Sequence, residues 1–230
     1  DFFENIYEDM QKLNSVIKYN SEHANLSLYI PYIKSVDDHW YRDLDFKDPE
    51  AMQGYIVKID EPGAAPYVEN IDDLKKILAT YSDAQGASNL VGAADAFMQI
   101  QNEYGINALF AASVAIKESG AGTSWDLIDS STHNWMSTQG SRGGGYKDKN
   151  GTTWNRFSSF SEATLAFGEL ISGESSGNYF GKGYYSVGDI AIKGKYCVPP
   201  EGWIKGVCNQ METFLNRAVD ELGITLINEE

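Results

Sequence analysis

The sequence predicts a mainly helical α+β protein in which a small β-lobe interrupts the helices. Helical patterns stand on both sides of a stretch rich in glycine and tryptophan, between about residues 133 and 157. Inside that stretch, two short strand-like runs flank a glycine-rich loop, which is typical of a β-hairpin. Helices, a hairpin and further helices favour two lobes with a cleft between them, and a smaller N-terminal region precedes this arrangement.

Length and composition limit the classes of partner. The 230 residues are enough for one sizeable core with a smaller appendage. The net charge is −15, so we expect no binding to nucleic acid or to an anionic membrane, both of which need clustered Lys or Arg. The three histidines are scattered, and no Cys/His cluster has zinc spacing. We therefore expect no metal and no cofactor.

Two features bear on the compartment. The chain begins with neither an initiator Met nor a basic segment followed by an apolar one, so we expect it to be a mature or excised segment of a longer product. No apolar run approaches the roughly 20 residues that cross a bilayer. Cys197 and Cys208 are the only cysteines. Their pattern leaves open whether they form a disulfide or remain free thiols.

Residues 1–85 are predicted to form a separate N-terminal region of unknown role. An amphipathic helix is expected over residues 4–20, and residues 55–59 have a strand-like pattern. Asn70 opens a predicted helix that runs to Leu78. The small and polar residues 82–88 are typical of a linker, so we expect a domain boundary near residue 85.

Residues 86–226 are predicted to form the main domain. Ser88 is expected to cap a helix that Gly105 ends, and Asn107 to cap the next helix. Alanines recur along this second helix and permit close approach of its neighbours, which favours a central, buried position. The helix ends with Glu118, just before Gly120.

Glu118 is the first candidate catalytic residue. It is spaced four residues from Val114 and eight from Phe110, so the three side chains share one helix face. Apolar neighbours disfavour the carboxylate anion and so raise the pKa of the Glu118 carboxyl, which makes it a candidate proton donor. The alternative is a helix-end glutamate that points into water.

The rest of the chain is predicted as a hairpin and three helices. Residues 135–139 and 152–157 are the expected strands. Ser161 is expected to cap the first helix, and a short helix is expected over residues 187–192. The last helix has one apolar face over residues 203–222.

Four ordered motifs indicate a family. They are residues 105–124 (GINALFAASVAIKESGAGTS), His133-Asn134, residues 156–162 (RFSSFSE), and residues 181–203 with Tyr196-Cys197 and Trp203. Residues of about 88 to 222 resemble, through these motifs, the glucosaminidase domain of Gram-positive autolysins, glycoside hydrolase family 73. The resemblance implies a lysozyme-like fold with Glu118 at the acid position.

The resemblance also implies a substrate and a place of action. We expect an extracellular or cell-wall protein that cleaves the β-1,4 glycan strands of peptidoglycan, as an endo-β-N-acetylglucosaminidase. The sequence departs from the family at residues 134–137, which are Asn-Trp-Met-Ser where the family often has Asn-Leu-Phe-Gly. Many members have a second carboxylate in the β-lobe, and the only acid between Trp135 and Phe157 is Asp148.

The second catalytic group has two candidates. Asp148 could activate water, although its Asp-Lys-Asn-Gly context is also a strong turn signal. Tyr196 lies where the resemblance implies a functional tyrosine, and a phenol there could orient an N-acetyl group or polarise water. The alternative for Tyr196 is packing beside Trp203.

Further side chains are candidates for sugar binding. An amide can hold a substrate amide, and aromatic rings offer flat apolar faces to sugars. Each of these residues has an alternative role in packing or in a turn. The candidates are Asn134, Trp135, Trp154, Tyr184 and Tyr185.

Three other functions stay open at this point. A muramidase or a lytic transglycosylase would use the same fold and the same acid. A catalytically inactive glycan-binding module would instead serve a phage tail or a conjugation machine. Residues outside 86–226 would then connect the chain to a larger cell-wall, phage-tail or conjugation assembly.

Overall fold

The structure, a computed structural model, describes residues 53–124, 130–174 and 177–227. These residues form seven α-helices and one two-stranded antiparallel sheet, which confirms the predicted mixture of helices with a small sheet. The helix expected over residues 4–20 lies outside the described residues. The elements are α1 (Ile71–Leu78), α2 (Ala84–Gly92), α3 (Ala94–Tyr104), α4 (Ala108–Ser119), β1 (Tyr146–Lys147), β2 (Thr153–Trp154), α5 (Phe160–Ser172), α6 (Val187–Ile192) and α7 (Glu201–Asn216).

Helix α4 is the central helix, as its alanine content predicts. Asn107 caps it, because its side-chain oxygen accepts hydrogen bonds from the backbone N–H groups of Leu109 at 2.9 Å and Phe110 at 3.3 Å. Gly120 ends it in the left-handed conformation, with φ 57°. Every residue from Ala108 to Ala115 is buried, and α4 packs against α7 on one side and α3 on another.

The predicted linker at residues 82–88 is wrong. Helix α2 begins at Ala84 and takes in the rest of that stretch, and the side chain of Asp83 caps it by accepting from the N–H of Gly86 at 2.6 Å. Gly86 is needed for packing, since a Cβ there would lie 2.7 Å from the ring of Tyr81. The boundary expected near residue 85 therefore falls inside a helix. Ser88 lies within the same helix and caps nothing.

A segment of residues 53–59, which we name the strap, joins distant parts of the fold. The N–H of Val57 donates to the carbonyl of Tyr185 at 2.8 Å, and the carbonyl of Val57 accepts from the N–H of Asn107 at 2.9 Å. Tyr55 and Val57 are buried in the same core cluster as α4 and α7. The described part of the predicted N-terminal region thus shares one core with residues 86–226.

The β-lobe differs from its prediction in one strand. Strand β1 pairs with β2 in the register Tyr146↔Trp154 and Lys147↔Thr153. The first strand was expected over residues 135–139, but only Gln139 pairs there, as an isolated bridge to Trp154. Residues 134–137 form turns instead, because the buried side chain of Asn134 holds them with hydrogen bonds that a strand would not allow.

The remaining helices were predicted well in position and less well at their ends. Helix α5 begins two residues before expectation, since Ser159 and not Ser161 caps it, accepting from the N–H of Glu162 at 3.1 Å. Helix α6 has the predicted bounds. Helix α7 ends at Asn216, and the chain continues to Glu221 as a π-helical turn. Among the described residues, none of the helices combines the length and the hydropathy that a bilayer crossing requires.

Candidate active site

Glu118 lies in the last turn of α4, where the chain leaves the core. Its side chain is half-buried, whereas its neighbour Lys117 is exposed. The last turn is also the negative end of the helix dipole, which disfavours a carboxylate. Burial raises the pKa of the Glu118 carboxyl above its ordinary value, and the hydrogen bonds and the positive charge around it only partly oppose this rise.

A side chain from a distant part of the chain holds the Glu118 carboxyl. The indole N–H of Trp203, in the first turn of α7, donates to Oε1 at 2.6 Å. The Ser137 side chain, in the turn before the β-lobe, also favours the anion and so lowers the pKa of Glu118. Trp203 is 3% exposed, so its donor is rigidly placed. The carboxyl is therefore fixed in orientation as well as desolvated.

Tyr196 lies beside this group but does not point at Glu118. Its hydroxyl donates to the carbonyl of Met136 at 2.5 Å, and its ring centre is 5.1 Å from that of Trp203. Part of the side chain is accessible, while burial of the hydroxyl, with a smaller effect from the charge of Glu118, raises the pKa of Tyr196 well above its ordinary value. Tyr196 is thus a neutral donor that ties the 135–137 turn to the residues before α7.

Asp148 is held by its own turn. Its Oδ1 accepts from the N–H groups of Asn150 at 2.8 Å and Thr152 at 2.9 Å, and its Oδ2 accepts from the indole of Trp154 at 2.9 Å. The Trp154 bond, followed by the backbone bonds, lowers the pKa of Asp148. These contacts agree with the alternative expected from the sequence, in which Asp148 is a turn residue. Both of its carboxylate oxygens accept hydrogen bonds from within the β-lobe.

Asn134 and Trp135 are interior residues and not surface contacts for a sugar. Both are 0% exposed. The Asn134 amide donates to the carbonyls of Thr138 at 2.8 Å and Asn155 at 3.0 Å, so it holds the lobe together. The Trp135 ring stacks on Phe160 with centroids 4.5 Å apart. The substrate contacts expected for this pair are replaced by packing.

The other aromatic candidates are also partly buried or in contact with other side chains of the protein. Trp154 is 8% exposed and donates its indole N–H to Asp148. Tyr184 and Tyr185 are half-buried. The ring of Tyr185 packs against Phe180 at 5.6 Å and lies 5.3 Å from the ammonium group of Lys58. None of these three has a described contact with Glu118, so the structure gathers only Tyr196 of the predicted residues around the acid.

The two cysteines do not form a disulfide in this structure. Cys208 is 2% exposed, and burial raises the pKa of its thiol to about 12, so it stays protonated and unreactive. The thiol of Cys197 faces the carbonyl of Pro199 at 3.5 Å. Within the described ranges, no group of three His, Cys, Asp or Glu residues is placed to hold a metal ion.

A surface cavity of about 560 Å³ lies beside the other end of α4. None of the predicted site residues lines it, and about 15 Å of helix separates Ala108 from Glu118. Three carboxylates and two phenols face this cavity. Its lining is Ile59, Asp60, Tyr67, Glu69, Gln101, Asn102, Glu103, Tyr104 and Gly105.

Sequence reasoning missed the role of Ser137 and the Trp203 donor. Trp203 is 85 residues from Glu118 along the chain, and a local sequence pattern does not predict a contact over that separation. Ser137 did give a signal, because it stands where the resembling family often has glycine.

No family model, no curated protein and no solved structure matches this chain.

Proposed function

We propose that this chain is a peptidoglycan hydrolase that cleaves β-1,4 glycan strands, with Glu118 as its general acid. The observation that carries the proposal is the Glu118 carboxyl, which is half-buried, bound by the Trp203 indole and shifted by burial toward the protonated form. Glycoside cleavage needs such a proton on the leaving oxygen. The motif resemblance to family 73 supports a lysozyme-like fold, the substrate class and an extracellular or cell-wall location.

The geometry favours delivery of the proton from one oxygen. Oε1 accepts the short bond from the Trp203 indole, so it is the weaker base of the two oxygens. Protonation then falls on Oε2. A carboxyl held by the buried Trp203 indole presents its proton in one direction, which is the arrangement that acid catalysis requires.

The substrate itself is the proposed source of the second catalytic group. Asp148 is committed to its turn, so it is a poor base for activating water. Attack by the substrate's own N-acetyl group would give hydrolysis, and this is the route we propose for an endo-β-N-acetylglucosaminidase. The same commitment of Asp148 favours a second candidate, a lytic transglycosylase, in which an internal sugar hydroxyl attacks and no water enters.

Muropeptide analysis with Glu118→Gln tests the proposed acid. We expect the variant to release products at least about 100-fold more slowly than the wild type, because a general acid typically contributes that much or more. Glutamine retains an oxygen to accept the Trp203 bond, so the fold should persist. Glu103→Gln is the matched control, since it changes an exposed glutamate near the end of α3 and should leave the rate unchanged.

The products distinguish the candidates. Reducing N-acetylglucosamine ends indicate glucosaminidase action, reducing muramic acid ends indicate a muramidase, and anhydro-muramic ends indicate transglycosylation. Full activity of Glu118→Gln would refute the proposed acid. Saturable binding of the wild type to purified sacculi without any released product would instead support an inactive glycan-binding module in a phage-tail or conjugation assembly.

A further inference from the structure

Tyr179 carries a buried hydroxyl that the rest of the protein does not use. The residue opens the short 3₁₀ helix Tyr179–Lys182, between α5 and α6, and it is 8% exposed. Among the residues that the structure describes, none makes a hydrogen bond with its hydroxyl. The neighbouring Tyr196 differs, because its hydroxyl donates to the carbonyl of Met136 at 2.5 Å. Buried hydroxyls nearly always have a partner, so the Tyr179 hydroxyl calls for an explanation.

The backbone of Tyr179 is strained as well. Its φ is +48°, in the left-handed region that bulky residues rarely adopt. A glycine at this position would avoid the strain. A phenylalanine would fill the same space without the cost of burying an unpaired hydroxyl. Two unfavourable features at one residue are typical of a functional site.

The ring of Tyr179 is held in one place. A Cβ on Gly194 would lie 2.5 Å from Cε1 and 2.7 Å from Cδ1 of the ring, so glycine is needed there for the two to fit. The ring of Tyr196 also packs against it, with centroids 6.2 Å apart and an angle of 64° between the planes. These contacts fix the position of the hydroxyl at the tip of the ring.

The ring belongs to a row of three that ends at the candidate acid. The ring centre of Tyr196 lies 6.2 Å from that of Tyr179 and 5.1 Å from that of Trp203. The indole N–H of Trp203 donates to Glu118 Oε1 at 2.6 Å. We name these three residues the aromatic row. Tyr179 is its far end, so a polymer whose bond is cleaved at Glu118 has further units within reach of this end.

We propose that the Tyr179 hydroxyl binds the glycan strand beside the acid, by exchanging a hydrogen bond with a hydroxyl or acetamido group of a sugar next to the cleaved bond. The inference rests on the proposed function for its ligand. Burial raises the pKa of Tyr179, so the phenol stays neutral and can both donate and accept. The sugar contacts it through the small part of the residue that stays accessible.

Tyr179→Phe separates binding from stability, because it removes the hydroxyl and keeps the ring contacts. We expect the Kd for a purified peptidoglycan tetrasaccharide to rise about three- to tenfold, the range typical of the loss of one neutral hydrogen bond. We expect the melting temperature of the free protein to stay the same or rise, because the variant no longer buries an unpaired hydroxyl. A structural role would lower the melting temperature and leave the Kd unchanged.

The experiment measures binding and turnover separately in the full chain. Isothermal titration calorimetry gives the Kd in chains that also carry Glu118→Gln, so that the tetrasaccharide is not cleaved. Steady-state muropeptide release with Glu118 intact gives KM and kcat, and we expect Tyr179→Phe to raise KM about three- to tenfold with a change in kcat below about twofold. Tyr81→Phe is the matched control, because it removes a phenol hydroxyl beside α2 and outside the aromatic row, and its Kd should equal that of the parent chain.

The outcomes distinguish this inference from the proposed function. A weaker Kd in Tyr179→Phe alone, with the melting temperature kept or raised, supports the inference. Equal Kd and KM in Tyr179→Phe and its parent overturn it even if the protein is an active hydrolase, and so does a lower melting temperature with an unchanged Kd, which would mean that an internal water is the partner. If the tetrasaccharide binds through Tyr179 but the wild type releases no products, the contact stands and the proposed hydrolase activity fails.

Discussion

Opposing influences act on the single carboxyl of Glu118. Burial raises its pKa, and it outweighs the effects of the Trp203 bond, the Ser137 side chain and the Lys117 charge, which all stabilise the anion. A hydrogen-bond donor to Glu118 therefore lowers the fraction of the carboxyl that is protonated, and it also fixes the direction in which the proton points. The balance between holding the carboxyl and keeping it protonated is the property that substitutions at this site will change.

Trp203→Phe tests the indole N–H that donates to the Glu118 carboxyl. Phenylalanine keeps an aromatic ring near Tyr196 but lacks the indole N–H, so the anion loses stabilisation and the pKa of Glu118 rises. We expect the alkaline limb of the pH–rate profile to move to higher pH. We also expect the maximal rate to fall about tenfold or more, because a freely rotating carboxyl is less often aligned. Steady-state rates of muropeptide release across pH measure both effects.

Tyr196→Phe is the control for that substitution. It removes the donor to the buried carbonyl of Met136 and leaves the indole in place. An unsatisfied buried acceptor costs about 1–3 kcal/mol, so we expect a lower melting temperature and an alkaline limb less displaced than in Trp203→Phe. Equal displacement in the two variants would mean that the Trp203 bond has no special effect on the acid.

At the scale of elements, capping signals predicted some helix ends and missed others: Ser88 and Ser161 were expected to cap helices that Asp83 and Ser159 cap instead. Asn107 and Gly120 bound α4 as predicted, because their hydrogen bonds and φ angles are local properties. The linker at residues 82–88 was wrong because its small polar residues look like a loop, whereas the side chain of Asp83 caps a helix there. Gly86 fits against the Tyr81 ring, where a Cβ would lie only 2.7 Å away.

We interpret Asp148 as a structural residue of the β-lobe and not as a catalytic base. Because hydrogen bonds lower the pKa of Asp148, its stabilising contribution is present above the ordinary value of 3.8 and is lost as the pH falls through the lower, folded-state pKa. In Asp148→Asn the amide N–H₂ faces the Trp154 indole N–H or the backbone donors, so one hydrogen bond is lost at every pH.

We therefore expect Asp148→Asn to loosen the β-lobe at neutral pH. Hydrogen exchange at the Thr152 amide and the Trp154 indole, corrected for intrinsic rates, should be faster than in the wild type. The difference should shrink as the wild type is acidified below pH 3.8. Unchanged exchange together with a large loss of activity would contradict this role and return Asp148 to the catalytic candidates.

At the scale of the whole molecule, the sequence could predict only those features of the site that depend on the spacing of residues along one helix. The spacing of Phe110, Val114 and Glu118 was enough to single out Glu118 as the candidate acid, because helical neighbours are set by the chain itself. The contacts from Trp203 and Ser137 depend on how α7 and the 135–137 turn pack against α4, and one sequence holds no direct record of such packing. For the same reason, the sequence left open whether Asn134 and Trp135 contact a sugar or pack inside the protein, and the structure buries both.

The strap leads to a prediction about the whole fold. It hydrogen-bonds on one edge to residues 185–188 and on the other to Gly105 and Asn107. A chain that begins at residue 86 lacks these partners and leaves the carbonyl of Tyr185 and the N–H of Asn107 exposed or unpaired. It also lacks the buried side chains of Val57 and Leu74, so its core has a cavity or takes in water.

We expect the chain that begins at residue 86 to show no cooperative thermal transition, and the chain that begins at residue 53 to keep one. Differential scanning calorimetry, with near-ultraviolet circular dichroism for the tryptophan environment, measures the difference. A sharp transition for the shorter chain, close in temperature to that of the longer one, would restore the boundary near residue 85. Without such a transition, Glu118 requires residues 53–85 for its burial, because the helix that positions it shares their core.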